Sequence, residues 1–251
     1  MIWKKAEADE KTAIVSMHYQ HNPDSIRDLS AALDEILIDG TIRTVIFTSA
    51  HAKNWHIGID LAWMMEEYRA ENRHSVIEAA SFINKNVFRK VLTMPAVTIA
   101  AINGHAYANG VVFACMNDIR YMKKDRGYFC LNEIENGLGD AFLPSVLVLF
   151  RTRFDPYIME VMIPTAKKMT APELERYGII DRACDDENDL MRTALARARQ
   201  FSSDDDLFAR YLADKKKRYD AVIDAIDRID PATFPGRIDI FWKLMERMVV
   251  K

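Results

Sequence analysis

The chain has 251 residues, with 34 Lys and Arg against 37 Asp and Glu, a formal net charge of −3. That length fits one large domain or a domain with an appendage, and 49% hydrophobic with 28% charged residues is ordinary globular composition. A pI near 6.1 excludes a dense basic face of the kind nucleic acid requires, and the Lys215–Lys217 run, mixed with acids, reads as a solvated helix face. No apolar run approaches the roughly 18 residues of a membrane span. The charged N-terminus is unlike a signal peptide and the C-terminus carries no address signal. Cys115, Cys130 and Cys184 are too few and too scattered for a disulfide scaffold, so the expectation is a soluble, cytoplasmic α/β protein.

In chain order, residues 2–19 read as two short strands around a turn at Asp9–Lys11. Pro23 opens a helix with Ile26, Leu29, Leu33, Ile36 and Leu37 on one face, and Gly40 stops it. Ile42–Ser49 is rich in β-branched residues and reads as a buried strand. A loop over Ala50–Ile59 follows, then one long helical pattern from Asp60 to about Lys90. Pro95 ends that pattern before another buried strand, Ala96–Ile102. Strand, loop, helix and strand recur across Asn103–Leu131. Such alternation predicts parallel strands inside and helices outside. From about Glu187 onward only helices are expected, the last spanning Pro235–Val250 and carrying Phe241, Trp242, Leu244 and Met245.

Three stretches carry chemistry. In the first, Ala52–Leu61, Gly58 permits a tight path from strand to helix and Asp60 is a good N-cap. Backbone N–H groups at such a helix start lack intrahelical partners and can face an oxyanion. The second, Ile102–Phe113, repeats the design with a helix starting near Asn109, and its spacing is wrong for a dinucleotide fingerprint. In the third, Tyr128–Leu138, Glu133 lies at a strand end in apolar surroundings, where burial raises a carboxyl pKa toward that of a general base. Taken singly, each also fits an ordinary turn glycine, a helix cap or a satisfied carboxylate. His51 and His56 have no third ligand nearby, so no metal site is expected.

In this order and spacing the stretches resemble the enoyl-CoA hydratase/isomerase (crotonase) superfamily. The resemblance rests on Trp55–Leu61, Pro95–Gly104 with His105–Gly110, Asp118-Ile119, Phe129–Leu138 and Met169–Asp181, and covers about residues 10–185. It implies an α/β spiral of β-β-α turns over residues 1–186. The helical region 187–251 would then be a subdomain used in trimerisation, as a homotrimer or dimer of trimers. It further implies an acyl-CoA thioester substrate, with coenzyme A part of the substrate and no other cofactor. The thioester carbonyl would lie between the backbone N–H groups of Ile59 and Asn109. Side chains do not matter to such donors, and losing one typically costs about 3–4 kcal/mol. Substrate contacts would fall on Lys53, His56, Ile57, Gly58, Asp60, Leu61, Tyr107, Gly110, Val112 and Asp140.

Hydratases of the family activate water with two glutamates. Here the first position is Val112 and only the second, Glu133, is a carboxylate. One carboxylate suffices for a proton shuttle, which implies a 3,2-enoyl-CoA isomerase, and Met94–His105 with Lys124–Phe129 is similar to plant and peroxisomal-type enoyl-CoA isomerases. Asp140 is read either as the N-cap of a helix over Ala141–Phe150 or as a second acid for a hydratase, hydrolase or dehalogenase. A non-catalytic acyl-CoA-binding trimer is a further alternative, because bulky Trp55, His56 and Ile57 could narrow the CoA channel. Met64 and Met65 read as core filling or as acyl-pocket lining.

Overall fold

The computed structural model describes residues 2–249; Met1, Val250 and Lys251, the outer limits of the expected regions and of the last helix, lie outside the described residues. Nine strands form: β1 (Trp3–Ala6), β2 (Asp9–Met17), β3 (Thr44–Ser49), β4 (Asn54–His56), β5 (Val97–Ile102), β6 (His105–Tyr107), β7 (Ile119–Lys123), β8 (Phe129–Cys130) and β9 (Arg182–Cys184). The helices are α1 (Pro23–Asp39), α2 (Leu61–Arg69), α3 (Arg73–Ile83), α4 (Arg89–Thr93), α5 (Asn109–Met116), α6 (Pro144–Arg153), α7 (Pro156–Thr165), α8 (Ala171–Arg176), α9 (Glu187–Ser203), α10 (Asp205–Arg218), α11 (Asp220–Asp224) and α12 (Asp230–Val249).

A six-stranded sheet has the order β1-β2-β3-β5-β7-β9, and a small sheet has the order β4-β6-β8. Among the described strand pairs only β1–β2 is antiparallel. The chain therefore repeats one motif: a strand in the large sheet (β3, β5, β7), a short strand in the small one (β4, β6, β8), then helix. Each repeat lies beside the previous one, a spiral of β-β-α turns. The expected Ala50–Ile59 loop is corrected by this arrangement, since it contains β4; three residues are too short to show an alternation pattern. The first turn is also corrected. It falls at Glu7-Ala8, because Asp9 already pairs with Ala6.

Helix α1 matches its reading. Asn22 caps it in a capping box with Ser25, Pro23 occupies its first turn, and Gly40 ends it at φ 64°. The helix expected unbroken over Asp60–Lys90 is instead α2, a turn at Glu71 with φ 53°, then α3 capped by Asn72. A π-helical turn at Asn84–Phe88 joins α3 to α4. The break between α2 and α3 falls in the polar run Arg69–Ser75, with Asn72 as the cap that a continuous helical reading passes over. Pro235 lies inside α12, which begins earlier than expected at Asp230.

The large sheet is covered on one side by α9, whose Leu190, Ala194, Ala198 and Phe201 pack on Ile46, Val97, Ile99 and Ile119. The other side holds the main core, including Phe47, Trp55, Phe113, Phe129 and Phe150. All three cysteines are free and buried.

Lys215 departs from its expected solvated position. It is buried to 2% exposure, and its ammonium donates to Asp118 Oδ2 and to the Ala96 carbonyl, each at 2.8 Å. Asp118 also accepts from the Thr98 N–H at 2.9 Å and from the Tyr219 hydroxyl at 3.1 Å. Burial pulls the Lys215 pKa down and Asp118 pushes it back up. The pair thus ties α10 to the start of β7. Removing Lys215 leaves buried Asp118 with only half-exposed Arg218, 3.8 Å away, as a cation, which costs up to about 3–5 kcal/mol. Lys215→Met is expected to lose about 3 kcal/mol of unfolding free energy in denaturant titration, and Lys215→Met with Asp118→Asn to recover part of it.

Candidate active site

Two turns meet at the end of the small sheet. After β4, the chain from Ile57 to Asp60 lies beside Tyr19–His21: the Ile57 N–H donates to the Tyr19 carbonyl at 2.8 Å, His21 N–H to Gly58 at 2.8 Å, and Asp60 N–H to His21 at 2.9 Å. Gly58 kinks this segment at φ 93°. The Ile59 N–H is left with no partner among the described residues. Asp60 then caps α2, accepting from Ala62 and Trp63 N–H.

The second turn follows β6. Ala108, a non-glycine residue at φ 48° and ψ −121°, precedes α5. It is held there because its N–H donates to Cys130 at 3.0 Å and its carbonyl accepts from Val111 and Val112. As the first residue of α5, Asn109 has a free N–H. The two turns touch: a Cβ built on Gly58 would lie 3.4 Å from the Asn109 nitrogen. A Cβ on Gly110 would lie 1.9 Å from the His56 carbonyl oxygen, so only glycine lets α5 start this close to β4.

Both turns open into one elongated cavity enclosing about 1310 Å³ of empty space, its solvent mouth included. Ile57, Ile59 and Leu61 line it from the first turn, Ala108, Asn109 and Val112 from the second, and Glu133 from the segment after β8. Helix α12 closes the far wall with Phe234, Arg237, Ile238, Phe241 and Leu244. Neighbouring Trp242 packs on Tyr68, with ring centroids 5.2 Å apart, so this helix folds back on its own chain.

Glu133 starts the 3-10 turn Ile134–Asn136. Its side chain is 9% exposed and its Oε2 has no partner among the described residues. Burial raises its pKa from 4.5 to about 7. It is the one carboxylate among the described lining residues, so the cavity brings two free N–H groups and a single buried carboxyl group together.

Several expected contacts fall elsewhere. Trp55 and His56 are both fully buried and point into the core, so they do not narrow the cavity. His56 Nδ1 accepts the Gly58 N–H at 3.2 Å, bracing the first turn, and burial lowers its pKa to about 3. Lys53 and Asp140 are exposed, and neither they nor Asp60 and half-buried Tyr107 line the cavity. Asp140 is no helix cap either: α6 begins at Pro144, with Leu143 at the cap position, because proline fixes the first turn. Met64 is both buried core and cavity lining. Among the described residues no group of three or more His, Cys, Asp or Glu could hold a metal.

Sequence reading missed His21, Asn84 and the part α12 plays in the cavity wall. His21 Nδ1 lies 3.2 Å from Asn109 Nδ2, which places its ring against the second turn. Its only local signal is the position just before the Asn22-Pro23 helix start.

Residues 20–225 match the profile of the family described as enoyl-CoA hydratase/isomerase. Enoyl-CoA delta isomerase 3 of Arabidopsis thaliana is 32% identical over 168 residues, 67% of this chain and 69% of that protein. The peroxisomal enoyl-CoA delta isomerase 2 of the same plant is 32% identical over 183 residues, 71% of this chain and 74% of that protein. Human mitochondrial delta3-delta2-enoyl-CoA isomerase superposes with TM-score 0.84 at 18% identity, covering 99% of this chain and 97% of that one. The enoyl-CoA hydratase of Bacillus halodurans superposes with TM-score 0.83 at 16% identity, covering 98% of this chain and 100% of that one. The chain belongs to the enoyl-CoA hydratase/isomerase family, has the crotonase fold and is an enzyme of that family.

The contact at Gly110 makes the site sensitive to one methyl group. Gly110→Ala is expected to push α5 off β4, costing about 1–3 kcal/mol in thermal or denaturant unfolding and lowering turnover further by displacing the Asn109 N–H.

Proposed function

We propose that the protein is a 3,2-enoyl-CoA isomerase with Glu133 as its single proton shuttle. The observation that carries this reading is the lone carboxylate in a cavity that also presents two unpartnered backbone N–H groups. The thioester carbonyl oxygen accepts hydrogen bonds from Ile59 and Asn109. Ionised Glu133 removes a proton from C2, and the electron pair spreads through the C3–C4 double bond into a dienolate whose oxygen the two donors stabilise. Protonated Glu133 then returns the proton to C4, leaving the double bond between C2 and C3. Donor, acceptor and proton balance with no other group.

Val112 supports this choice over hydration. Its buried isopropyl group lines the cavity where a second glutamate would hold water, and it neither binds water nor carries a proton. Exposed Asp140, outside the cavity, lends the hydratase or hydrolase alternative no support. Coenzyme A enters as part of the substrate, so the scheme needs no cofactor. The same proposal includes assembly as a trimer or dimer of trimers, and division at residues 186–187 into a spiral core and a helical region. Among the described helices none is long and apolar enough to cross a membrane; placement in the cytoplasm belongs to the proposal.

Glu133→Gln is expected to lower kcat on 3-enoyl-CoA by about 10²–10⁴-fold while leaving unfolding cooperative. The pH profile gives an independent check. The base must be ionised, so kcat/KM of the unaltered enzyme should rise with pH, pass half its maximum near 7 and level off above. Full activity in the Glu133→Gln protein would remove Glu133 from the mechanism.

A further inference from the structure

The cavity holds one charge that proton transfer does not use. Arg237 lines its α12 wall and is half-buried. Two ties fix how that wall stands. Asn84, at the end of α3, donates from Nδ2 to Asp230 at 2.8 Å, and Arg73, at the start of α3, pairs with Asp239. Helix α12 therefore runs antiparallel to α3, and Arg237 lies between the two ties. Phe234, one turn before it, and Phe241, one turn after it, line the same cavity, so Arg237 belongs to the helix face that is turned inward.

Among the described residues no acid neutralises this guanidinium. Its neighbours one turn away along α12 are Thr233, Phe234, Ile240 and Phe241, none of them a carboxylate. Asp239 is taken by Arg73. Glu133 is the one carboxylate among the described lining residues, and no cation offsets the burial that raises its pKa. A guanidinium within about 4–6 Å would pull that pKa down, so Arg237 and Glu133 stand apart in the cavity. The wall around Arg237 is otherwise apolar, with Phe234, Ile238 and Phe241 from α12 and Val76, Ala79 and Ala80 from α3. The guanidinium stays charged, and an alkyl chain laid over it would remove water without replacing the hydrogen bonds. A carboxylate matches it, its two oxygens accepting from two parallel N–H donors.

We propose that Arg237 makes the enzyme selective for acyl-CoA thioesters whose acyl chain ends in a carboxylate, with the thioester at Ile59 and Asn109 and the distal carboxylate on the guanidinium. The proposal rests on the acyl-CoA reading of the site. The phosphates of coenzyme A are the other anions of such a substrate. They carry several charges, whereas the described lining offers one Lys or Arg, set in an apolar wall. One guanidinium suits the single charge at the end of an otherwise apolar chain.

Saturated esters cannot isomerise, so their binding separates this inference from the isomerase reading. At each chain length, the plain acyl-CoA and the CoA monothioester of the matching dicarboxylic acid are titrated calorimetrically into wild type, Arg237→Gln and Arg237→Lys. At one chain length the dicarboxylic ester is expected to bind wild type at least about tenfold tighter than the plain ester. Arg237→Gln should remove that gap and leave the plain ester's Kd unchanged, and Arg237→Lys should keep a smaller preference, as a point charge without the fork. Plain esters that bind wild type as tightly as dicarboxylic ones at every length would overturn the proposal, whether or not a variant folds. So would a gap that survives in Arg237→Gln, or an equal weakening there of both esters and of free coenzyme A, which would put the guanidinium on a coenzyme A phosphate. If the dicarboxylic ester is preferred but its 3-enoyl counterpart is not converted, the isomerase reading fails and the carboxylate subsite stands.

Discussion

The site depends on one backbone contact, the approach of the first turn of α5 to the carbonyl of His56, which leaves no room for a side chain at Gly110. That contact brings two helix starts from successive turns of the spiral side by side, so that the Ile59 and Asn109 N–H groups open into one cavity. Neither donor needs a particular side chain, which is why isoleucine and asparagine can occupy these positions. The strands and helices behind them hold both N–H groups in place, the preorganisation that the proposed oxyanion role requires. Strain is stored at Ala108, whose positive φ costs about 1–3 kcal/mol for a non-glycine residue, and the bond to Cys130 with the two from α5 offsets it.

Around that contact the chain spends polar groups on holding geometry. His56 accepts the Gly58 N–H and the His21 ring lies against the Asn109 side chain. Both rings are buried and neutral, and neutrality is what lets a ring nitrogen accept. Glu133 is the counterexample, a carboxylate buried without a partner. Its native state holds the proton more tightly than the unfolded chain does. Its contribution to stability is therefore present at acid pH and lost as pH rises from the ordinary carboxylate range near 4.5 through about 7. Stability is lost over the same range in which the carboxyl group ionises. The buried Asp118–Lys215 pair sits elsewhere and serves the fold, joining α10 to the sheet.

Much of this was legible in the sequence, for identifiable reasons. Gly58 and Asn109 lie one short strand beyond the β-branched β3 and β5, Glu133 follows the apolar stretch Phe129–Leu131, and their order and spacing carry the family pattern. Strands β3 and β5, buried on both faces, could be read from composition alone. Strand β4 could not, because three residues carry no periodicity and its partner β6 is distant in sequence. The break between α2 and α3 lies in the polar stretch Arg69–Ser75, where Asn72 caps α3, and was passed over because the segments on either side both have helical spacing. Lys215 was misread because a lysine beside two exposed lysines gives no sign that Asp118, 97 residues away, lies opposite it. The α12 wall and the place of Arg237 on it are tertiary facts with no local signature. The family comparison establishes the fold and enzyme class, and the reaction within that class is the proposal argued from the cavity's single carboxylate.

The most direct test is to follow 3-hexenoyl-CoA by NMR in deuterated buffer with purified enzyme. The account predicts 2-hexenoyl-CoA, with any solvent deuterium entering at C4 or C2, no 3-hydroxyhexanoyl-CoA, and loss of conversion in Glu133→Gln. Accumulation of 3-hydroxyhexanoyl-CoA would contradict it, since a cavity with one carboxylate and Val112 in the second position would then be activating water.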